Sequence, residues 1–402
     1  MRPWLFLFGS FLSLFTEAQK SKNLISEKWQ CEVKIQDKTI GFELEKLNSK
    51  SGVDHYILWN GRERIALNHN KKEGDSLICP ISVFESRLIF PVKKGVNFSG
   101  FYINAKNQRM PFEARKSPLK NVEAAPLSQF AGNWKMYFHE GGLPTDSGIL
   151  ITEIKNGKIY GTILNETGDY RFLNGSGTGL SSFFLQTLDG GHSYRFDFEL
   201  QKDSLTGTFI YGPKGIDLFY GYKTRETNVK NGFEISKVGE GKRFSFKAKD
   251  ENGNLIDQTF PLIKNKGLVL QILGTWCPNC LDETKFLTEA YAQKPENVEF
   301  IGLAFERKPD LKQAFQRINI LKSRLKVPYP IFFGGPSSKD SARASVPFLD
   351  KVFAFPTTVF IKADGSIYKV HSGFSGPATG KLYDAWKNEF SLLLKEINPG
   401  KK

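Results

Sequence analysis

The sequence predicts two folding units: an all-β antiparallel domain of sandwich or barrel-like type over residues 24–225, and an α/β domain with a mixed sheet over 242–398. Two patterns carry this expectation. Between about residues 28 and 223, short alternating runs such as Gly148-Ile149-Leu150-Ile151-Thr152-Glu153-Ile154 and Tyr194-Arg195-Phe196-Asp197-Phe198-Glu199-Leu200 are broken by Gly, Asn and Asp about every ten residues, the period-2 signature of half-buried strands. From residue 268 onward, apolar runs alternate with segments of helical period in the order β-α-β-α-β-β-α, an order that lays helices on both faces of one sheet.

Taken from the start, Arg2 precedes an apolar run over 3–15, followed by Thr16-Glu17-Ala18. A run of about thirteen residues is too short to cross a bilayer, which takes about twenty. The small residues after it suit cleavage, so 1–18 reads as a Sec-type signal peptide and the expected location is the periplasm. A lipid-anchored protein would carry Cys directly after the run, whereas the first cysteine is Cys31, and no later segment is long and apolar enough to be a transmembrane helix.

The β block divides into halves, 24–115 and 128–225, joined by a seam at 116–127 that holds Pro118 and Pro126. The halves read as a degenerate duplication. Asn97-Phe98-Ser99-Gly100-Phe101-Tyr102-Ile103 echoes Ser204-Leu205-Thr206-Gly207-Thr208-Phe209-Ile210, and Trp29 before a strand echoes Trp134 in Gly132-Asn133-Trp134. A Gly-x-Trp ahead of a first strand also resembles lipocalin-like barrels. A Lys-, Asn- and Gly-rich stretch, 226–241, reads as a linker polar enough to permit relative motion.

In the α/β unit, strands are expected at 268–273, 298–304, 329–333, 357–362 and 366–371, and helices at 278–293, 309–324 and 380–396. A helical insert falls within 337–351, and an added β pair at 243–249 and 258–262. The Gly-containing run 373–380 lacks the Lys-Ser/Thr ending of a phosphate loop and reads as a turn into the last helix.

The chemistry centres on Trp276-Cys277-Pro278-Asn279-Cys280, set between the apolar run 268–273 and a helix. Unpaired amides at a helix N-terminus stabilise a thiolate, and two intervening residues let the second sulfur reach the first. Cys277 is the expected nucleophile and Cys280 the resolving thiol. A zinc site would need four ligands, and the five histidines, at 55, 69, 139, 192 and 371, are scattered without a second Cys pair, so no metal or other cofactor is expected beyond the redox-active pair itself. An inert bridge over so short a loop would constrain the unfolded chain little.

With Phe353-Ala354-Phe355-Pro356-Thr357-Thr358-Val359-Phe360-Ile361 and His371-Ser372-Gly373-Phe374 added, the stretch from about 238 to 397 resembles the TlpA and ResA type of extracytoplasmic thioredoxin-like thiol-disulfide oxidoreductase. The resemblance implies a thioredoxin-like fold, with a cis-proline at Pro356 whose neighbouring backbone at Phe355 would pair with an extended substrate beside Trp276. Thioredoxins place a buried Asp six residues before the first Cys, and Gln271 stands there. ResA-type proteins carry a Glu three residues beyond the second Cys, which implies Glu283 as proton acceptor for Cys280. The Pro often found two residues later is replaced by Lys285. The resemblance also implies net reduction of protein or small-molecule disulfides, with electrons from a membrane-embedded dithiol donor.

Export permits disulfides, and setting the redox pair aside leaves Cys31 and Cys79 as a candidate bridge, the alternative being two buried thiols. The net charge of +14 comes from basic residues spread along the chain and interleaved with Asp and Glu, which argues for a solvated surface and against a nucleic-acid site. Two other functions compete: a peroxiredoxin-like thiol peroxidase, whose P-x-x-x-T-x-x-C arrangement is absent because Thr275 lies two residues before Cys277, and an envelope binding or sensor protein whose β domain captures a ligand or partner.

Overall fold

The computed structural model describes residues 26–48, 54–81, 83–93, 95–116, 127–140, 143–227, 229, 231–308 and 310–399. The expected signal peptide, 1–18, and residues 117–126 of the expected seam lie outside them.

The first nine strands are β1 (Ser26–Ile35), β2 (Lys38–Asn48), β3 (Asp54–Asn60), β4 (Glu63–Leu67), β5 (Lys71–Glu73), β6 (Ser76–Pro80), β7 (Arg87–Pro91), β8 (Asn97–Ile103) and β9 (Arg109–Arg115). They form one antiparallel sheet in the order β4-β3-β2-β1-β9-β8-β7-β6-β5, which stays open because β4 and β5 do not pair. Alternation works as expected: in β1, Trp29, Cys31, Val33 and Ile35 turn into the core while the residues between them face out.

A second set follows: β10 (Gly132–Glu140), β11 (Leu143–Lys155), β12 (Lys158–Asn165), β13 (Gly168–Asp169), β14 (Leu173–Gly177), β15 (Ser182–Leu188), β16 (Ser193–Gln201), β17 (Ser204–Tyr211) and β18 (Gly215–Thr224). Here the added β11–β12 pairing closes the sheet into a barrel of eight strands, with β13 paired outside the ring onto β12. Trp134, Met136, Phe138, Phe196, Phe198 and Phe209 fill the interior. Rings stack there at 4.3 Å in Phe196–Phe209 and Phe183–Phe198. A 3₁₀ turn, Ser128–Phe130, plugs one end with the buried Phe130.

The echo between the halves has a topological meaning. In each, the first strand pairs with the last, as β1 with β9 and β10 with β18, and the echoed segments are the next-to-last strands, β8 and β17. The repeated glycine permits close approach: a Cβ would lie 2.6 Å from the Ile89 carbonyl oxygen at Gly100 and 2.0 Å from that of Asp197 at Gly207. Lys116 lies 5.8 Å from the Trp29 ring and Lys223 5.2 Å from the Trp134 ring. What distinguishes the halves is closure, which only the second achieves. Polar side chains join them: the Gln186 amide exchanges bonds of 3.1 and 3.2 Å with the Gly41 backbone, and Asn60 donates to Thr187 Oγ1 at 2.9 Å.

The third sheet comprises β19 (Lys247–Lys249), β20 (Leu255–Asp257), β21 (Gly267–Leu273), β22 (Val298–Glu306), β23 (Ile331–Pro336), β24 (Thr357–Ile361) and β25 (Ile367–Ser372), in the order β20-β19-β23-β22-β21-β24-β25. Strands β21, β22 and β23 are parallel and the rest antiparallel. Its helices are α1 (Pro278–Tyr291), α2 (Leu311–Leu325), α3 (Lys339–Ser345) and α4 (Lys381–Ile397). Phe286 of α1, Ile318 of α2 and Phe390 of α4 cover one face with Val269 and Phe300. Ala342 of α3, with Phe348 and Phe246, covers Leu270 and Leu303 on the other. Among the described residues no helix is long and apolar enough to cross a membrane.

Three expectations change. The added hairpin is β19 and β20, shifted from the expected 258–262, because Asp250 Oδ1 accepts from the Asn252 and Asn254 amides at 2.9 and 2.8 Å and turns the chain early, while Pro261–Ile263 forms a 3₁₀ turn. The stretch expected to be a mobile linker is docked: Phe233 packs on His371 and Trp386, Ser236 and Ser372 hydroxyls lie 2.6 Å apart, and Val238 bridges to Leu349. Its polar composition concealed these few apolar anchors. Finally, Cys31 and Cys79 are buried thiols that no disulfide joins. Three strands, β9, β8 and β7, stand between β1 and β6 in the sheet, and burial pushes the Cys31 thiol well above its ordinary pKa. After mild oxidation and alkylation in denaturant, peptide mapping should therefore find Cys31 and Cys79 separately alkylated; a peptide joining them would contradict this core.

Candidate active site

Strand β21 delivers the chain to the turn before α1, and side chains from neighbouring strands fix that turn. The Glu306 carboxylate, at the end of β22, accepts from the Thr275 amide at 3.0 Å and its hydroxyl at 2.7 Å. Trp276 Nε1 donates to the Phe305 carbonyl at 3.0 Å, and the Trp276 ring meets Phe355 edge to face at 5.9 Å. Cys277 is then the N-cap of α1, with Pro278 in the first turn, where a missing N–H costs nothing.

The two cysteines are unequal. Cys277, 7% exposed, accepts a hydrogen bond from the Cys280 amide at 3.4 Å and donates its thiol to the Phe355 carbonyl at 3.4 Å. The Phe355–Pro356 peptide bond is cis. Cys280, 1% exposed, is held well above the ordinary thiol pKa, first by burial and then by its bond to Cys277. Glu283 is wholly buried one turn further along α1, accepting from Gln271 Nε2 at 2.8 Å and Thr358 Oγ1 at 2.7 Å. Among the described residues no cation faces it, and burial pushes its carboxyl up to about 7. Trp276, Cys277, Phe355 and Pro356 thus converge on one sulfur, while Cys280 and Glu283 lie beneath it.

Residues 237–385 match the Redoxin family model. The chain carries a redoxin domain at its C-terminal end. The thiol-disulfide oxidoreductase ResA of Bacillus thuringiensis subsp. konkukian is 26% identical over 191 residues, which span 47% of this chain and 91% of that protein. The ResA of Oceanobacillus iheyensis is 25% identical over 150 residues, spanning 37% and 71%. Among solved structures, a thiol:disulfide interchange protein of the thioredoxin family from Chlorobium tepidum TLS is 18% identical, with TM-score 0.29, and covers 40% of this chain and 99% of that one. The two ResA relatives are thiol-disulfide oxidoreductases.

The redoxin domain does not present Cys277 to open solvent, because the closed barrel sits against it. Gly191 approaches Pro278 so closely that a Cβ would lie 2.5 Å from the proline ring, and at Gly168 a Cβ would meet the Asn279 amide at 2.0 Å. Gly168 also bridges to Phe374. The contact is organised by Arg171, 2% exposed. Its Nε and Nη2 fork onto Asp282 of α1 at 2.7 and 3.1 Å, Nη2 also reaches Glu63 of the open sheet at 2.6 Å, and Nη1 reaches Asp189 of the barrel. Burial would raise Asp282, but the Arg171 guanidinium holds it below the usual carboxylate range, and Asp189 is lowered in the same way. For Glu63 burial prevails and its pKa is raised. Nearby, Asp169 accepts from the Gly376 and Arg171 amides, and burial together with Asp282 pushes it up to about 7.

None of this cluster was marked in the sequence. Arg171 follows Gly-Asp-Tyr in what reads as an ordinary turn, and its partner Asp282 lies 111 residues away. Asp282, directly after the motif, was the only visible hint. Substituting Arg171→Leu leaves three buried carboxylates without their cation and should cost about 3–5 kcal/mol of stability. Alkylation of Cys277 should accelerate at least tenfold as the barrel loosens; unchanged protection of Cys277 would show that the clamp does not hold the barrel in place. A second expectation concerns pH. Between 4.5 and about 7 the folded Glu283 keeps a proton that the unfolded residue has lost, so stability falls as pH rises through that window. At about 1.4 kcal/mol per unit, Glu283→Gln should remove about 3 kcal/mol of that fall, measurable by urea unfolding at pH 5 and pH 8.

Proposed function

We propose that this protein is a disulfide reductase in which Cys277 attacks and Cys280 resolves. The observation that carries the proposal is the inequality of the two thiols at the N-terminus of α1: one lines a cavity beside the Phe355 carbonyl, while the other is buried over a carboxyl that titrates near neutrality.

The Cys277 thiolate, stabilised by the helix amides, attacks one sulfur of a substrate disulfide, giving a mixed disulfide and releasing a thiolate. Glu283, held by Gln271 and Thr358 one turn along α1 and deprotonated in part near pH 7, takes the Cys280 proton. Cys280 then attacks the Cys277 sulfur, the mixed disulfide breaks, and the second product thiol leaves. The protein has lost two electrons and the substrate has gained them. A dithiol donor must return them, and the resemblance to ResA-type proteins supports a membrane-embedded one, an extracytoplasmic location and protein disulfides among the substrates. A peroxidase is less well supported, since the Thr275 hydroxyl is committed to Glu306 rather than turned toward Cys277.

Cys280→Ser should accumulate covalent adducts on Cys277, resolved on non-reducing gels, and recovery of none from a disulfide-containing mixture would sink the mechanism. Glu283→Gln should slow the second exchange about a hundredfold at pH 7 while leaving the first nearly untouched. A wild-type rate across pH 6 to 9 would remove Glu283 from the proton path.

A further inference from the structure

The barrel has two unlike ends. Phe130 plugs one. The other carries the turns after β12, β15 and β17, and these meet the redox motif. Between this mouth and the redoxin domain lies a cavity of about 380 Å³. Its barrel wall sets an aromatic group, Tyr170, His192, Tyr194, Phe209 and Tyr211, beside the polar Asn165, Thr167 and Asp169. Tyr194 and Phe209 meet edge to face at 5.1 Å, while Phe209 and Tyr211 at 4.8 Å and His192 and Tyr194 at 4.6 Å are tilted. The opposite wall includes Cys277 itself, with Pro278 and Phe355.

Three features define what such a space accepts. Its size lies at the small end of ligand pockets, which run from about 300 to 1,000 Å³. Among the described residues no Lys or Arg lines it, and the carboxylate there, Asp169, already accepts two backbone amides. A charged ligand would lose hydration there without a countercharge, whereas a flat ring finds aromatic faces and edges. And Cys277 is 7% exposed with the barrel in place, so a small disulfide approaches its sulfur more readily than one carried on a folded protein.

Resting on the assignment of Cys277 as the attacking thiol, we propose that this cavity is a substrate site for low-molecular-mass disulfides bearing an uncharged, flat or apolar group beside the S–S bond. The barrel mouth holds the ring and the Cys277 thiolate attacks the adjacent sulfur. The S–S bond breaks, Cys277–S–S–R forms and RS⁻ leaves. Cys280 then closes onto Cys277 and releases the second RS⁻, so two electrons pass to the substrate and a dithiol reductant restores the pair.

The test uses the full, reduced chain and compares dithiodipyridine with cystine, each rate divided by that of free dithiothreitol with the same disulfide. The normalised preference for dithiodipyridine should be at least tenfold. It should fall about tenfold in Tyr211→Ala and in Tyr194→Ala. Insulin should react more slowly than dithiodipyridine by at least the same factor. A ratio near one, a ratio indifferent to both substitutions, or insulin reduced as fast as dithiodipyridine overturns the site while leaving disulfide exchange intact. Failure of Cys277, verified as reduced, to react with any of the three overturns the exchange assignment itself. Because the tyrosines pack on the barrel core, the unmutated chain gives a second reading: dipyridyl sulfide, which cannot exchange, should slow alkylation of Cys277 by iodoacetamide severalfold, and no protection at saturating concentration overturns the site.

Discussion

One buried cation organises the three sheets. Arg171 comes from the closed barrel, and its three carboxylate partners come from the open sheet, the barrel and helix α1. A guanidinium without water is intolerable alone, and so is each carboxylate. Their mutual dependence makes docking close to all-or-none: withdraw one sheet and a charge is left bare in the other two. An apolar interface could slide; a forked ion pair with bonds of 2.7 and 3.1 Å to Asp282 cannot. Since Asp282 follows Cys280 by two residues, the clamp fixes the barrel in register with the redox motif itself.

Carboxylates inside the redoxin domain divide along the same physical line. Glu306 accepts the Thr275 amide and hydroxyl, and burial raises its pKa; its work is to hold the turn that aims Cys277. Glu283 has only neutral donors, Gln271 and Thr358, and titrates near 7. The glutamine at 271, which looked like the loss of a base, is instead the donor that holds this buried carboxyl from another element. Holding the turn and carrying a near-neutral carboxyl thus fall to two separate groups.

The parts of the molecule legible in the sequence are those whose cause is local. Strand periodicity, the cysteine N-cap of α1 and the proline before β24 are each set by a few adjacent residues, and each was placed to within a few positions. Glu283 and Pro356 became visible through resemblance to a family. The clamp was not legible, because Arg171 and Asp282 acquire their meaning only when residues 111 apart meet. The same holds for the docked segment 226–241, whose polar composition outweighed Phe233, Ile235 and Val238, and for Cys31 and Cys79, where counting cysteines could not see the strands between them. Closure of one half-domain but not the other was equally hidden, since it turns on a single pairing, β11 with β12, that no local pattern records.

That difference in closure explains how two echoes of one β unit serve unlike purposes. The open half acts as a brace: Val83 and Phe84 join the core of the redoxin domain, Arg317 donates to the Val83 carbonyl, and Glu63 completes the clamp. Remaining open costs it nothing, because its edges need not define a hollow. The closed half has a mouth, and a mouth requires a complete ring of strands with one end plugged. A redoxin domain alone would offer its cysteine to any disulfide able to approach. Fused to a brace that sets the angle and a barrel that supplies a wall, the same cysteine faces a bounded space, which on the proposed mechanism puts selectivity in the β domains and reactivity at the helix terminus.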